Sequence, residues 1–219
     1  MFLVFPVAGF FYAYQPKRII KTYESVMHFL RGEEQGHTIH LDKIIKRHSH
    51  RRLWIIGLLF GAMGAWFGIT YSVERFGEYW YSTNWFQILF VHLTRLLAYY
   101  CIGVTAARHI ATSIELNHLF EHADFPLTLD SDRLDVFRSV KNFAMEFVGV
   151  AALIALNLGL QPLLIDPPIV EYSIYVALYF IVAPFSFFLP IWEAHQRMAQ
   201  IKDQILDKLH YDYQEESQR

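Results

Sequence analysis

The sequence has few reactive or charged residues. Its 219 residues include one cysteine, Cys101, so no intramolecular disulfide framework can form. Charged residues make up only 18% of the chain and the formal net charge is -2, which argues against a nucleic-acid partner. A recognisable cofactor motif, phosphate-binding loop and acidic cluster are also missing. These absences favour a binding, structural or transport function over most classes of enzyme.

Long apolar stretches are abundant by contrast, and hydrophobic residues make up 54% of the chain. Four stretches stand out, at residues 53–73, 86–107, 143–164 and 174–192. Because roughly 20 apolar residues in a helix cross the ~30 Å hydrocarbon core of a bilayer, each stretch is close to the length of one crossing. The sequence therefore predicts an all-α polytopic membrane protein, with a four-helix transmembrane bundle at residues 53–192.

The basic residues of the connecting segments predict the orientation. The segment 74–85 carries only Arg75, and the segment 165–173 carries no lysine or arginine. On the alternate side, basic residues precede the first stretch, separate the second from the third and follow the fourth: Lys43, Lys46, Arg47, Arg51, Arg52, Arg133, Arg138, Lys141, Arg197, Lys202 and Lys208. By the positive-inside rule, this multi-pass protein of the cell membrane has both ends of its four-span unit in the cytoplasm.

Residues 1–52 are predicted to form interfacial and cytoplasmic helices. Residues 1–14 are apolar but short for a crossing, which indicates an interfacial or re-entrant segment. A set of apolar residues then recurs at helical spacing and predicts an amphipathic helix along the membrane surface: Ile19, Tyr23, Val26, Met27 and Leu30. The basic, histidine-rich residues 39–52 are candidates for binding anionic lipid headgroups.

Residues 193–219 are predicted to form a cytoplasmic amphipathic helix with a polar tail. Apolar side chains recur at intervals of three and four residues: Met198, Ile201, Ile205 and Leu209. Such a helix can pack on the basic N-terminal helices or on a second copy of itself.

Four glycines share one face of the first predicted span: Gly57, Gly61, Gly64 and Gly68. A helix face without side chains lets another helix approach closely, which matters in lipid because the hydrophobic effect does not drive helices together there. Two partners fit this pattern. One is another span of the same chain, and the other is a second copy in a homo-oligomer.

The second predicted span contains an arginine, Arg95, ten residues beyond Trp85 and therefore about 15 Å along the helix. An arginine at the bilayer centre costs at least ~2.5 kcal/mol, so it should face the bundle or a wet cavity. His92 lies one turn away on the same face, and Asn157 of the third span is the nearest polar residue in depth. Arg95, His92 and Asn157 are therefore candidates for a polar path, with a purely structural arginine as the alternative.

The segment between the second and third spans contains His118-Leu119-Phe120-Glu121-His122, which has the form of the inverted zinc-protease motif. Residues four apart in a helix share a face, so His118 and His122 could bind zinc together. Glu115, one turn earlier, is the first candidate for a third ligand, and Glu193 and His195 are the others. We expect no cofactor, with zinc at this string as the exception.

Two segments carry a resemblance to a known group of proteins. The strings Leu189-Pro190-Ile191-Trp192-Glu193-Ala194-His195-Gln196-Arg197-Met198 and Pro126-Leu127-Thr128-Leu129-Asp130-Ser131-Asp132-Arg133 resemble the last span and a proline- and aspartate-containing loop of uncharacterised prokaryotic four-span membrane proteins. Where that group often has a Gly-Gly pair, this chain has Leu134 and Asp135. The resemblance implies a four-span topology and no particular activity.

Three functional hypotheses follow from these patterns. The first is a homo-oligomeric ion channel or pore whose polar path includes Arg95, because charged residues inside a membrane are functional candidates by default. The second is a non-catalytic anchor, assembly or signalling subunit that binds another membrane protein. The third is a membrane-bound metalloenzyme at His118 and His122.

Overall fold

The computed structural model describes residues 4–31, 51–78, 82–121, 131–164 and 169–218. Within these ranges the chain forms five helices: α1 (Val4–Arg31), α2 (Arg51–Glu74), α3 (Trp85–Glu121), α4 (Ser131–Leu164) and α5 (Ile169–Gln218). Helix α3 contacts α1, α2 and α5, and α4 contacts α1 and α5. The predicted all-α class is confirmed for the described residues, and α3 is the helix with the most neighbours among them.

Three of the described helices are long and apolar enough to cross a membrane, over Arg52–Glu74, Trp85–Glu121 and Tyr172–Trp192. They contain the first, second and fourth predicted spans. The third predicted span, residues 143–164, is helical within α4, whose side chains are described only in part. Helix α3 continues well beyond the predicted end at residue 107, because residues 108–121 contain neither proline nor glycine to end it.

The turn between α2 and α3 is formed by local hydrogen bonds. Gly77 has a positive φ of 88°, a conformation that glycine adopts without steric cost, and its amide donates to the Ser82 carbonyl at 2.9 Å. The Ser82 hydroxyl donates to the Arg75 carbonyl at 3.1 Å. Asn84 then caps α3, since its side-chain oxygen accepts the Gln87 amide proton at 2.9 Å.

Helix α1 is one continuous helix rather than a short apolar segment followed by a surface helix. Ile19, Tyr23 and Val26 are almost completely buried, and they share a hydrophobic cluster with residues of α3 and α4: Leu116, Phe120, Val140 and Phe143. The predicted apolar face is therefore covered by protein. The reason is the length of α3, which extends far enough to present Leu116 and Phe120 to α1. Leu30 and the basic residues 39–50 lie outside the part of the chain described here.

The four glycines of α2 all face α3. A Cβ atom added at Gly57 would lie 2.3 Å from a Val104 methyl group, and one added at Gly68 would lie 2.6 Å from the His92 ring. The two helices are therefore antiparallel. The two backbones are also close at Gly103 of α3, where an added Cβ would lie 3.2 Å from the Gly57 Cα atom. The glycine face thus packs against another helix of the same chain, which is the first of the two predicted partners.

Replacing Gly61 by alanine tests this contact, because the added Cβ would lie 2.9 Å from the Leu96 carbonyl oxygen. Because a backbone atom cannot rotate away, we expect α2 and α3 to separate. The free energy of unfolding should then fall by about 1–3 kcal/mol. The matched control is Gly149→Ala, since nothing lies within 4 Å of a Cβ at that position. Thermal unfolding of both variants in lipid nanodiscs checks the prediction. Equal melting temperatures for the two variants would contradict it.

Candidate functional site

His92 and Arg95 lie together against the last glycine of the α2 face. His92 is buried, with 3% of its surface exposed, and its Nε2 atom is 2.8 Å from the Ser72 hydroxyl oxygen. The same hydroxyl oxygen lies 2.9 Å from the Gly68 carbonyl oxygen, so Ser72 connects the His92 ring to the backbone of α2.

Gly68 makes room for both side chains. A Cβ atom at this position would lie 2.6 Å from Nη1 of Arg95 and equally close to the His92 ring. The Arg95 guanidinium also lies over the Tyr99 ring, with its central carbon 5.6 Å from the ring centroid, within the range of a cation–π interaction. The predicted glycine face and the predicted polar residues thus form a single contact. The Asn157 side chain lies outside the described residues.

A second polar cluster joins α1 to α3 and was not predicted. Pro16 lies inside α1 and has no amide proton, so the carbonyl of Tyr12, four residues earlier, loses its helical partner. Arg108 of α3 donates from Nη1 to this carbonyl at 3.2 Å, and its guanidinium lies 4.9 Å from the centroid of the Tyr12 ring. Only 7% of Arg108 is exposed. The buried arginine therefore replaces the hydrogen bond that the proline removes.

The same cluster continues along α1 and reaches α4. The Gln15 side-chain amide donates to the Thr105 carbonyl at 2.8 Å, and both residues are more than nine-tenths buried. Arg18 forms an ion pair with Glu146 of α4, with Nη2 and Oε1 2.6 Å apart. Beside this pair, His109 stacks on the rings of Phe143 and Phe147, with centroids 4.6 and 4.0 Å away. Side chains from three helices thus meet at one polar junction.

Two features of the sequence explain why this junction was not predicted. Arg108 and His109 directly follow the predicted end of the second span, a position typical of residues at the membrane interface. Gln15 and Arg18 fall between the two predicted N-terminal segments, and Glu146 lies within the third predicted span, residues 143–164. Pro16 in the middle of a helical pattern was the available signal, because a carbonyl freed by proline needs another donor.

The candidate zinc ligands are only partly brought together. Glu115 accepts a hydrogen bond from the Tyr23 hydroxyl at 2.5 Å and so faces α1. The His118 side chain is 73% exposed and lies 3.4 Å from a Glu121 carboxylate oxygen. His195 is exposed, while His122 and the Glu193 side chain lie outside the described residues. In the described part of the chain, no group of three histidine, cysteine or acidic side chains could hold a metal ion.

The described fold is thus all-helical with three helices able to cross a membrane, and buried polar side chains lie in the contacts of α3 with α1 and α2. Comparisons with protein-family models, curated proteins and solved structures found no match.

Ser72→Ala tests the contribution of the buried polar pair at α2 and α3. The substitution removes the hydroxyl that is hydrogen-bonded to His92 Nε2, so a buried ring nitrogen loses that partner, at a cost of about 1–3 kcal/mol. Ser25→Ala is the control, because the exposed Ser25 hydroxyl bonds only to the Lys21 carbonyl of its own helix. We expect a lower melting temperature for Ser72→Ala alone. If Ser25→Ala lowers the melting temperature as much, the Ser72–His92 contact contributes no more to stability than the exposed Ser25 hydrogen bond does.

Proposed function

We propose that this chain is a non-catalytic assembly or signalling subunit of the cell membrane, and that it self-associates through the cytoplasmic half of α5. The exposure of apolar side chains along that half of the helix is the observation that carries the proposal. In a water-exposed helix, such side chains are stabilised when another helix covers them.

The two halves of α5 have different surroundings. Near residue 190 the helix is attached to α3, since Pro190 is fully buried and the Leu189 carbonyl accepts a hydrogen bond from the Asn117 amide at 2.5 Å. Beyond Trp192, several apolar side chains are at least two-fifths exposed: Met198 at 41%, Leu206 at 53% and Leu209 at 59%. Met198, Ile205 and Leu209 are separated by seven and four residues, so they share one face of the helix.

A second copy of α5 is a suitable partner because this part of the helix carries both signs of charge. Lys202 and Asp203 are adjacent and exposed, and Asp207 is exposed one turn later. Two such helices can pair apolar faces and still place opposite charges next to each other at the edges. The 50 residues of α5 correspond to about 75 Å of helix, more than twice the ~30 Å needed to cross a bilayer. The excess length is available for pairing outside the membrane.

The same proposal includes a four-span topology with both ends of that unit in the cytoplasm. It is supported by the three helices that are long and apolar enough to cross, by the helical conformation of residues 143–164 in α4, and by the alternating distribution of basic residues. The basic residues 39–52 would then lie at the cytoplasmic surface, where anionic lipid headgroups are the expected partners.

Introducing charge into the apolar face tests the self-association. We expect Met198→Lys combined with Ile205→Lys to convert the oligomer to monomer in nanodiscs or by native mass spectrometry, because lysines in the paired face would be desolvated. The control is Gln200→Lys with Gln204→Lys, which adds the same charge on the opposite face of the same helix. A wild-type chain that is monomeric in native lipid would refute the proposal, as would an oligomer unaffected by the first pair of substitutions.

A homo-oligomeric ion channel is the second candidate, favoured by the partial exposure of Arg95. Its side chain lies about 15 Å along α3 from Trp85, a depth at which contact with lipid is costly for a charged group. A neighbouring copy could cover this side chain, or a water-filled path between copies could hydrate it. His92, by contrast, is buried against Ser72. Arg95 is therefore the residue whose substitution would report on a path between copies.

Arg95→Gln distinguishes a channel from a subunit. In a conducting assembly, removing a fixed positive charge from the path should shift the reversal potential toward that of cations. Arg75→Gln is the control, since this arginine lies in the α2–α3 turn and pairs with Glu78 rather than facing the span. Planar-bilayer recordings with a cation gradient provide the measurement. Absence of current from reconstituted wild-type protein, together with a merely destabilised Arg95→Gln variant, would remove the channel candidate.

A further inference from the structure

A small, partly open cavity lies at the polar junction of α1, α3 and α4. Its volume is about 20 Å³, and the polar residues that line it are Tyr14, Gln15, Arg18, Thr105, His109 and Glu146. A cavity needs roughly 10–15 Å³ of such volume to hold one water molecule. The space therefore accommodates a single water molecule.

Three polar atoms of the lining residues remain without a hydrogen-bond partner among the described residues. They are the Gln15 carbonyl oxygen Oε1, the Arg18 Nε–H group and the Thr105 hydroxyl, and each of these atoms is buried. Gln15 and Thr105 are only 6% and 4% exposed as whole residues. Buried polar groups are costly unless they are hydrogen-bonded, so a partner is expected in the cavity they line.

The chemistry of these three atoms selects the ligand. An anion would meet the Gln15 carbonyl oxygen and the Glu146 carboxylate, and a cation would meet the Arg18 guanidinium. A water molecule avoids both repulsions because it donates two hydrogen bonds and accepts two. It can donate to Gln15 Oε1 and to the Thr105 hydroxyl while accepting from Arg18 Nε–H, and three hydrogen bonds are typical of a buried water.

We infer that one ordered water molecule is a structural component of this junction, bound by Gln15 and Arg18 of α1 and by Thr105 of α3. The water adds an indirect link beside the direct bond from the Gln15 amide to the Thr105 carbonyl. It also connects the helix contact to the Arg18–Glu146 ion pair, so that α1, α3 and α4 share one hydrogen-bonded network.

A density map of the full chain in lipid at better than 2 Å resolution tests the inference directly. We expect a single peak within hydrogen-bond distance of Gln15 Oε1, Arg18 Nε and Thr105 Oγ1. An empty cavity would overturn the inference, and so would a direct hydrogen bond between the Gln15 and Thr105 side chains. Replacing chloride by bromide in the buffer tests whether the peak is an anion. An anomalous bromide signal at the peak would also overturn the inference.

Substitution at Thr105 provides a second test with a matched control. Thr105→Val keeps the shape of the side chain but removes the hydroxyl, and we expect it to abolish the magnetisation transfer between water and the Gln15 side-chain amide in NMR spectra. Thr105→Ser retains the hydroxyl and should preserve the transfer. Combining Thr105→Val with Gln15→Leu should lower the melting temperature by less than the sum of the two single changes, because both substitutions remove partners of the same water molecule. Additive losses, or a transfer unaffected by Thr105→Val, would contradict the bound water.

Discussion

Burial of polar side chains along α3 is the constraint on which the rest of the structure depends. In lipid, apolar surface alone does not hold helices together, so close backbone approach and hydrogen bonds between helices must do so. Helix α3 offers Gly103 and His92 to α2, Thr105 and Arg108 to α1, and Asn117 to α5. Each neighbouring helix supplies a complementary group, which explains why α3 contacts three other helices.

Proline has a constructive role in α1. In water, a proline inside a helix leaves a carbonyl that solvent can satisfy, but a buried carbonyl needs a partner from the protein. Arg108 provides it at Tyr12 and is itself stabilised by the Tyr12 ring. The hydrogen bond between them therefore reduces both the cost of burying the guanidinium and the cost of the missing helical hydrogen bond. The pair also fixes which turn of α1 faces which turn of α3.

Sequence patterns predicted several features of the fold because they depend on local composition. Apolar length identified three helices long enough to cross a membrane, and helical spacing identified Ile19, Tyr23 and Val26 as one face of a helix. The same spacing does not indicate what covers that face, because an amphipathic helix can pack its apolar face either against lipid or against protein. The covering surface, Leu116 and Phe120, lies about 90 residues away in the chain and beyond the predicted end of the span. Non-local contacts of this kind leave no periodic signature.

The candidate sites divide in the same way. Composition alone predicted a helical chain that is rich in membrane-length apolar stretches. The 3.6-residue period of a helix predicted that four glycines share a face: Gly57, Gly61, Gly64 and Gly68. Only the tertiary structure decided that Gly68 receives His92 and Arg95, and that Gln15, Arg18, Thr105 and Glu146 meet at one cavity. The physical reason is that partner choice depends on the depth and rotation of whole helices. Those quantities are set jointly by every contact in the bundle and not by any one segment.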